Sequence, residues 1–123
     1  MAVIILVDDN DRVRAYVSEL LRDAGLPVFE TSSAREALAA DQRLPGSVDV
    51  LVTDIEMPEM NGRELARRMV EAHPALRVLY ISGIPQAVVE RNGPIEPWAA
   101  FLAKPFGPVA LMRAVRALQE GTT

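Results

Sequence analysis

Apolar and polar positions along the chain follow two alternating periods. Val3-Ile-Ile-Leu-Val7 is a short apolar run rich in β-branched residues and closed by Asp8, which predicts a buried strand. Val13, Val17, Leu20, Leu21 and Ala24 then recur at helical spacing, with Asn10 or Asp11 able to cap the start and Gly25 to stop it. Pro27–Thr31 reads as a weaker, half-exposed strand. Ser33-Ala-Arg-Glu36 has the capping-box form and opens a second helix to about Asp41, followed by a loop over 44–47. Val48–Thr53 is a second buried apolar run. Asn61-Gly-Arg-Glu64 starts a third helix with Leu65, Met69 and Ala72 on one face, and His73-Pro74 ends it, because the residue before proline disfavours helix. Arg77–Ile81 predicts a fourth strand. A poor helix from Gln86 to about Arg91 lies between Pro85 and Gly93-Pro94. A stiff stretch with Pro94 and Pro97 leads to a strand over Ala99–Ala103. Gly107-Pro108 opens a last helix, with proline in its first turn and Leu111, Val115 and Leu118 inward.

Five apolar strands alternating with five helices predict an α/β fold: a parallel sheet with helices on both faces. The pattern alone does not order the strands. It does say where a ligand would sit, because open parallel sheets bind at the carboxyl ends of their strands. Those ends carry Asp8-Asp9, Asp54, Ser82 and Lys104-Pro105. Strand direction alone therefore brings these polar groups to one edge.

Composition narrows the chemistry. The chain has 123 residues, half of them hydrophobic and 24% charged, which suits one globular domain over 1–123 and argues against disorder. With no cysteine and one histidine, disulfides, thiol catalysis and multi-histidine metal sites are excluded. Lys+Arg is 13 and Asp+Glu is 17, a net charge of −4 that argues against a nucleic-acid surface. No apolar run reaches membrane length, and the default expectation is a cytoplasmic protein without a membrane partner.

Asp8, Asp9 and Asp54 on one edge repel one another unless a cation sits among them. Oxygen ligands alone point to a hard cation, of which Mg²⁺ is the usual choice, and Mg²⁺ leaves room for a phosphate oxygen. Lys104 is the single lysine beside 12 arginines, set in the apolar stretch Phe101–Phe106, and a compact ammonium suits a phosphate or carboxylate in a small site. Ser82 adds a hydroxyl donor. Singly, each residue has an ordinary reading: aspartates cap helices or start turns, Ser82-Gly83 makes a turn, and a lysine before proline is solvated. Their coincidence at successive strand ends favours phosphoryl transfer to an aspartate. His73 is read as facing solvent at a helix end. Met57, Met60 and Met69 are read as packing, and Trp98 as a partly buried anchor for the proline-rich stretch.

With Asp8-Asp9, Asp54, Met57-Pro58, Asn61-Gly62, Ser82-Gly83 and Lys104-Pro105-Phe106 in this order, the chain resembles the receiver domains of two-component response regulators over essentially its whole length. The resemblance implies a flavodoxin-like fold with strand order 2-1-3-4-5. It implies that Asp54 accepts a phosphoryl group from a phosphohistidine on a histidine kinase or histidine phosphotransfer protein. It implies Mg²⁺ held by Asp9 and Asp54, by Asp8 through water, and by the main-chain carbonyl of Glu56. Lys104 would pair with the phosphoryl group or with Asp54. Ser82 and Phe101 would form the switch that changes the face of the fourth helix, fifth strand and fifth helix (α4-β5-α5), which a downstream protein partner reads. The stretch from Tyr80 to Phe106 looks like receivers at the end of hybrid sensor kinases, and a free-standing regulator and a piece of such a kinase both stay open.

Three other readings stand beside this one. A phosphatase or mutase could use Asp54 as nucleophile, but its usual second aspartate is Glu56 here and a cap domain is missing from 1–123. A degenerate receiver would only bind partners, against which the intact acidic set and Lys104 argue. A flavin-binding protein shares the fold but needs a phosphate loop rich in Gly, Ser and Thr after the first strand, which Asp8-Asp9-Asn10-Asp11 does not provide.

Overall fold

The predicted alternation is realised as a parallel sheet between two helical layers. The computed structural model describes residues 3–44 and 48–120. Among these, the elements in chain order are β1 (Val3–Val7), α1 (Asp11–Asp23), β2 (Val28–Thr31), α2 (Ala34–Arg43), β3 (Val48–Asp54), α3 (Gly62–Ala72), β4 (Arg77–Ser82), α4 (Gln86–Val89), β5 (Ala99–Ala103) and α5 (Pro108–Gln119). The strand order is β2-β1-β3-β4-β5 and every neighbouring pair is parallel, the flavodoxin-like arrangement. Most of the predicted loop over 44–47 falls outside the described residues.

Alternation along the strands divides the core into two layers. Ile5, Val7, Leu51, Val78 and Tyr80 pack with Ala37 and Ala40 of α2 and with Leu65, Ala66 and Met69 of α3. Ile4, Leu6, Val50, Val52, Leu79 and Ile81 pack on the other side with Val17 and Leu21 of α1 and with Leu111 and Val115 of α5. Burial on both faces is why β1, β4 and the part of β3 beyond the exposed Asp49 read as apolar runs. Truncating one such leucine, Leu79→Ala for example, costs about 2–5 kcal/mol.

The helix starts are fixed by side chains named in the sequence. Asn10, rather than Asp11, caps α1, its Oδ1 accepting from Arg12 N and Val13 N at 3.0 and 3.1 Å. Asn61 Oδ1 accepts from Glu64 N at 2.9 Å at the head of α3. At α2, Ser33 Oγ accepts from Glu36 N, but the Glu36 carboxylate reaches back one residue further than in a simple capping box and accepts from Ser32 N and Ser32 Oγ.

Four expectations are corrected. β3 extends to Asp54 and β4 to Ser82, one residue beyond each apolar run, because the backbone ladder continues through Asp54↔Ile81 and Ser82↔Ala103 whatever the side chain. Ala72 is exposed, and Ala66 takes its place beside Leu65 and Met69. α4 has only four residues and is followed by a 3₁₀ turn over Glu90–Asn92, which ends at Gly93 with φ 114°. His73 does not stand free in solvent: its Nε2 lies 2.8 Å from Asp41 Oδ2, joining the ends of α3 and α2.

Candidate functional site

The crossover between β1 and β3 leaves a crevice at the carboxyl edge, and the two strands deliver their acids into it. Asp8 follows β1 and is fully buried. Asp54 ends β3 and is 4% exposed, while Asp9 is exposed at the rim. Carboxylate oxygens of Asp8, Asp9 and Asp54 all lie within 4.8 Å of one another. Lys104, delivered by the turn after β5, places Nζ 3.3 Å from Asp54 Oδ2 and 3.4 Å from Asp8 Oδ2. Lys104 N also donates to Ser82 O at 2.8 Å, which carries the β4–β5 ladder to the edge of the site.

The backbone around the acids is held from several sides. Asp8 Oδ1 accepts from Asn10 N at 2.8 Å, and Arg14 donates to Asp8 O at 2.8 Å. Thr53 Oγ1 donates to Asp54 O at 2.8 Å, and Asp54 Oδ1 accepts from Glu56 N at 3.3 Å. These contacts leave one buried oxygen, Asp8 Oδ2, with no hydrogen-bond donor and only the longer ion pair to Lys104.

The electrostatics follow from this crowding. Burial, then the neighbouring charges of Asp8 and Glu56, push the Asp54 carboxyl up to about 6, with Lys104 pulling the other way. Burial disfavours the Lys104 ammonium, but Asp8 and Asp54 outweigh it and hold its pKa above the ordinary lysine value. Three carboxylates against one ammonium leave an excess of negative charge. The unsatisfied Asp8 Oδ2, the cluster of carboxylate oxygens and the raised Asp54 pKa together fit a hard divalent cation.

Residues 4–116 match the family model of the response regulator receiver domain. The chain belongs to this family.

Individual receivers agree with the assignment. The chain is 36% identical over 119 residues to the sensor kinase CckA of Brucella abortus (strain 2308), a match covering 97% of this chain and 13% of that protein. It is 35% identical over 106 residues to the response regulator receiver protein CpdR of the same organism, covering 86% and 87% of the two chains. It superposes on a response regulator receiver protein from Sinorhizobium medicae WSM419 with TM-score 0.86 at 31% identity, covering 97% and 94% of the two chains. The receiver thus corresponds to a small part of one relative and to most of another. It is a domain of two-component signalling.

Within this receiver, Asp8, Asp9, Asp54 and Lys104 come together as the sequence predicts. Ser82 is fully buried at the end of β4, and its hydroxyl is taken by the Glu56 carboxylate at 2.9 and 2.8 Å. Phe101 is half-buried in β5 opposite Tyr80 and packs against the core layer that includes α3.

Sequence reasoning missed a second polar network behind the site. Arg63, buried in the first turn of α3, donates to Gly93 O at 3.1 Å and Pro94 O at 2.9 Å, and pairs with Glu96 Oε2 at 3.3 Å. Tyr80 Oη donates to Glu96 Oε1 at 3.0 Å, and Arg67 closes on the same carboxylate at 3.4 Å. Burial, Glu96's charge and their hydrogen bond raise the Tyr80 pKa, so its proton stays in place. Burial works against the Glu96 carboxylate, but its hydrogen bonds and Arg63 together lower its pKa. One signal was legible: a cation in the first turn of a helix opposes the helix dipole and calls for a partner.

Proposed function

We propose that this receiver is a phosphoryl-accepting switch, with Asp54 as the acceptor. A carboxylate oxygen of Asp54 attacks the phosphorus of a phosphohistidine on a histidine kinase or phosphotransfer protein. The N–P bond breaks, its electron pair returns to the imidazole, and an aspartyl phosphate forms. Asp8, Asp9, Asp54 and the main-chain carbonyl of Glu56 would hold Mg²⁺, which when bound supplies charge neutralisation between the acceptor carboxylate and the phosphoryl oxygens.

The chain's own residues account for the rest. Lys104 exchanges its contact with Asp54 Oδ2 for a phosphoryl oxygen, so the ammonium never loses an anionic partner. Ser82 donates its hydroxyl to a second phosphoryl oxygen, and Phe101 shifts toward the space that the serine leaves. The α4–β5–α5 face changes with them and is read by a downstream protein partner, not by nucleic acid. We place this activity in the cytoplasm. The receiver does not turn over external substrates in this reading, because the position two residues beyond Asp54, where such enzymes carry a second aspartate as general acid, is Glu56.

The observation that carries the proposal is Lys104 bridging Asp54 and Asp8 beside three clustered carboxylates. Intact-mass measurement after incubation with Mg²⁺ and acetyl phosphate tests it. A single phosphoryl adduct that requires Mg²⁺ and is absent from Asp54→Asn is the expected result. No adduct under fast quenching, with no beryllofluoride binding, would leave a phosphorylation-independent binding module.

A further inference from the structure

Ser82 has one hydroxyl proton, and it is already committed. Its Oγ sits 2.9 Å from Glu56 Oε1 and 2.8 Å from Glu56 Oε2, and it accepts from Ile84 N at 2.9 Å. The serine is therefore bonded to an anion before any phosphoryl group arrives. Glu56 belongs to the acceptor loop as well, since its own N–H donates to Asp54 Oδ1. One residue thus contacts the acceptor carboxylate through its backbone and the serine through its side chain.

We propose that Glu56 is a gate residue: its carboxylate holds the Ser82 hydroxyl in the resting state and has to leave before that hydroxyl can donate to a phosphoryl oxygen. This inference rests on the phosphoryl-acceptor reading above and deepens it. The direction of the exchange follows from burial. Glu56 is exposed, so its carboxylate moves into water at little solvation cost, whereas Ser82 is fully buried and needs a partner inside. The trigger follows from charge. An aspartyl phosphate brings up to two negative charges beside the Glu56 carboxylate and repels it. The consequence reaches the surface through Ile84, whose N–H is bonded to Ser82 Oγ and whose side chain is exposed next to α4. Glu56 is a positioning residue here: beyond the charge repulsion that releases it, it acts on the phosphoryl group through Ser82.

The test compares beryllofluoride binding in the presence of Mg²⁺ for the wild type, Glu56→Ala, Glu56→Gln, Ser82→Ala and the Glu56→Ala/Ser82→Ala double variant. A second readout, the Ile84 amide resonance, is taken without metal. Glu56→Ala is expected to bind beryllofluoride about tenfold more tightly than wild type, the scale of one charge-assisted hydrogen bond released. Glu56→Gln, which keeps a neutral acceptor, gives a smaller gain. In the Ser82→Ala background the gain falls to about twofold or less, because no hydroxyl is left to free. The metal-free Ile84 amide moves in Glu56→Ala. An equal gain in both serine backgrounds overturns the gate, since Glu56 would then act only through its charge on the acidic cluster. No gain, or an unmoved Ile84 amide, overturns it as well. A wild type that binds no beryllofluoride overturns the phosphoryl-acceptor reading itself, and the gate with it.

Discussion

A Cβ placed on Gly62 would collide with the main-chain carbonyl oxygen of Asp54. The same atom would stand 3.0 Å from Thr53 Oγ1, and Gly62 N donates to Ile55 O at 2.9 Å, which fixes the approach. The head of α3 therefore crosses the end of β3 with no space for a side chain. The main obstacle is backbone, so it has no rotamer by which to move aside.

Gly62→Ala is accordingly expected to destabilise the receiver by about 2–3 kcal/mol and to shift the Asp54 loop. Urea unfolding at unchanged slope measures the loss directly. A midpoint equal to that of the wild type would show that the loop gives way freely and that the glycine is dispensable.

Asp54 supplies a pH-dependent prediction. Its folded pKa of about 6 lies above its ordinary value of 3.8, so between these values the folded state holds a proton that the unfolded state has lost. Stability from this group is present below about pH 4 and is lost as the pH rises through about 6. Without metal, Asp54→Asn should then be more stable than wild type by about 2–3 kcal/mol at pH 7, and the difference should vanish near pH 4. Thermal unfolding in chelator across that range decides the matter, and a destabilised asparagine variant at pH 7 would contradict the sign.

The buried Arg63 holds the segment between α4 and β5 to α3 by its fork of contacts to Gly93 O, Pro94 O and Glu96. Arg63→Ala leaves the Glu96 carboxylate and two carbonyls short of donors and should cost about 3 kcal/mol. Arg63→Lys should recover little, because an ammonium cannot reproduce the planar fork. Tyr80→Phe removes one donor to the same carboxylate and should cost about 1–2 kcal/mol. Amide exchange over residues 90–98 provides the local readout: it should quicken in both arginine variants, and full protection in Arg63→Lys would deny the fork its role.

Much of this architecture is visible in the residues. β1, β3 and β4 are buried on both faces, so their apolar runs announce a parallel sheet, and a parallel sheet sends Asp8, Asp54, Ser82 and Lys104 to one edge. The long-range polar contacts are not visible. His73 meets Asp41 across 32 residues and Arg63 meets Glu96 across 33, and nothing in local spacing pairs them. The Ser82–Glu56 contact is hidden for a different reason. Both residues were singled out, but where an exposed carboxylate comes to rest depends on competing donors and not on periodicity. α4 tightens into a 3₁₀ turn over Glu90–Asn92 before its predicted end, and the chain then turns at Gly93, with the Glu90 carboxylate accepting from Ile95 N at 2.8 Å.

Lys104 and a bound cation address the same oxygens, and this competition gives the last prediction. Nζ pairs with Asp54 Oδ2 and with Asp8 Oδ2, and the two aspartates raise its pKa, so the ammonium is charged across the neutral range. Lys104→Met keeps most of the stem and removes the charge. The carboxylates then repel one another without relief, and a divalent cation gains what the ammonium no longer supplies. Mg²⁺ should bind roughly tenfold more tightly to the variant, as a charge a few ångströms away in a partly solvated site requires. Phosphorylation by acetyl phosphate should nevertheless slow by at least about tenfold, because the incoming phosphoryl oxygen has lost its cationic partner. Calorimetric Mg²⁺ titration and intact-mass kinetics separate the two effects. Weaker Mg²⁺ binding in the variant would mean that Lys104 orders the carboxylates for the cation and does not compete with it.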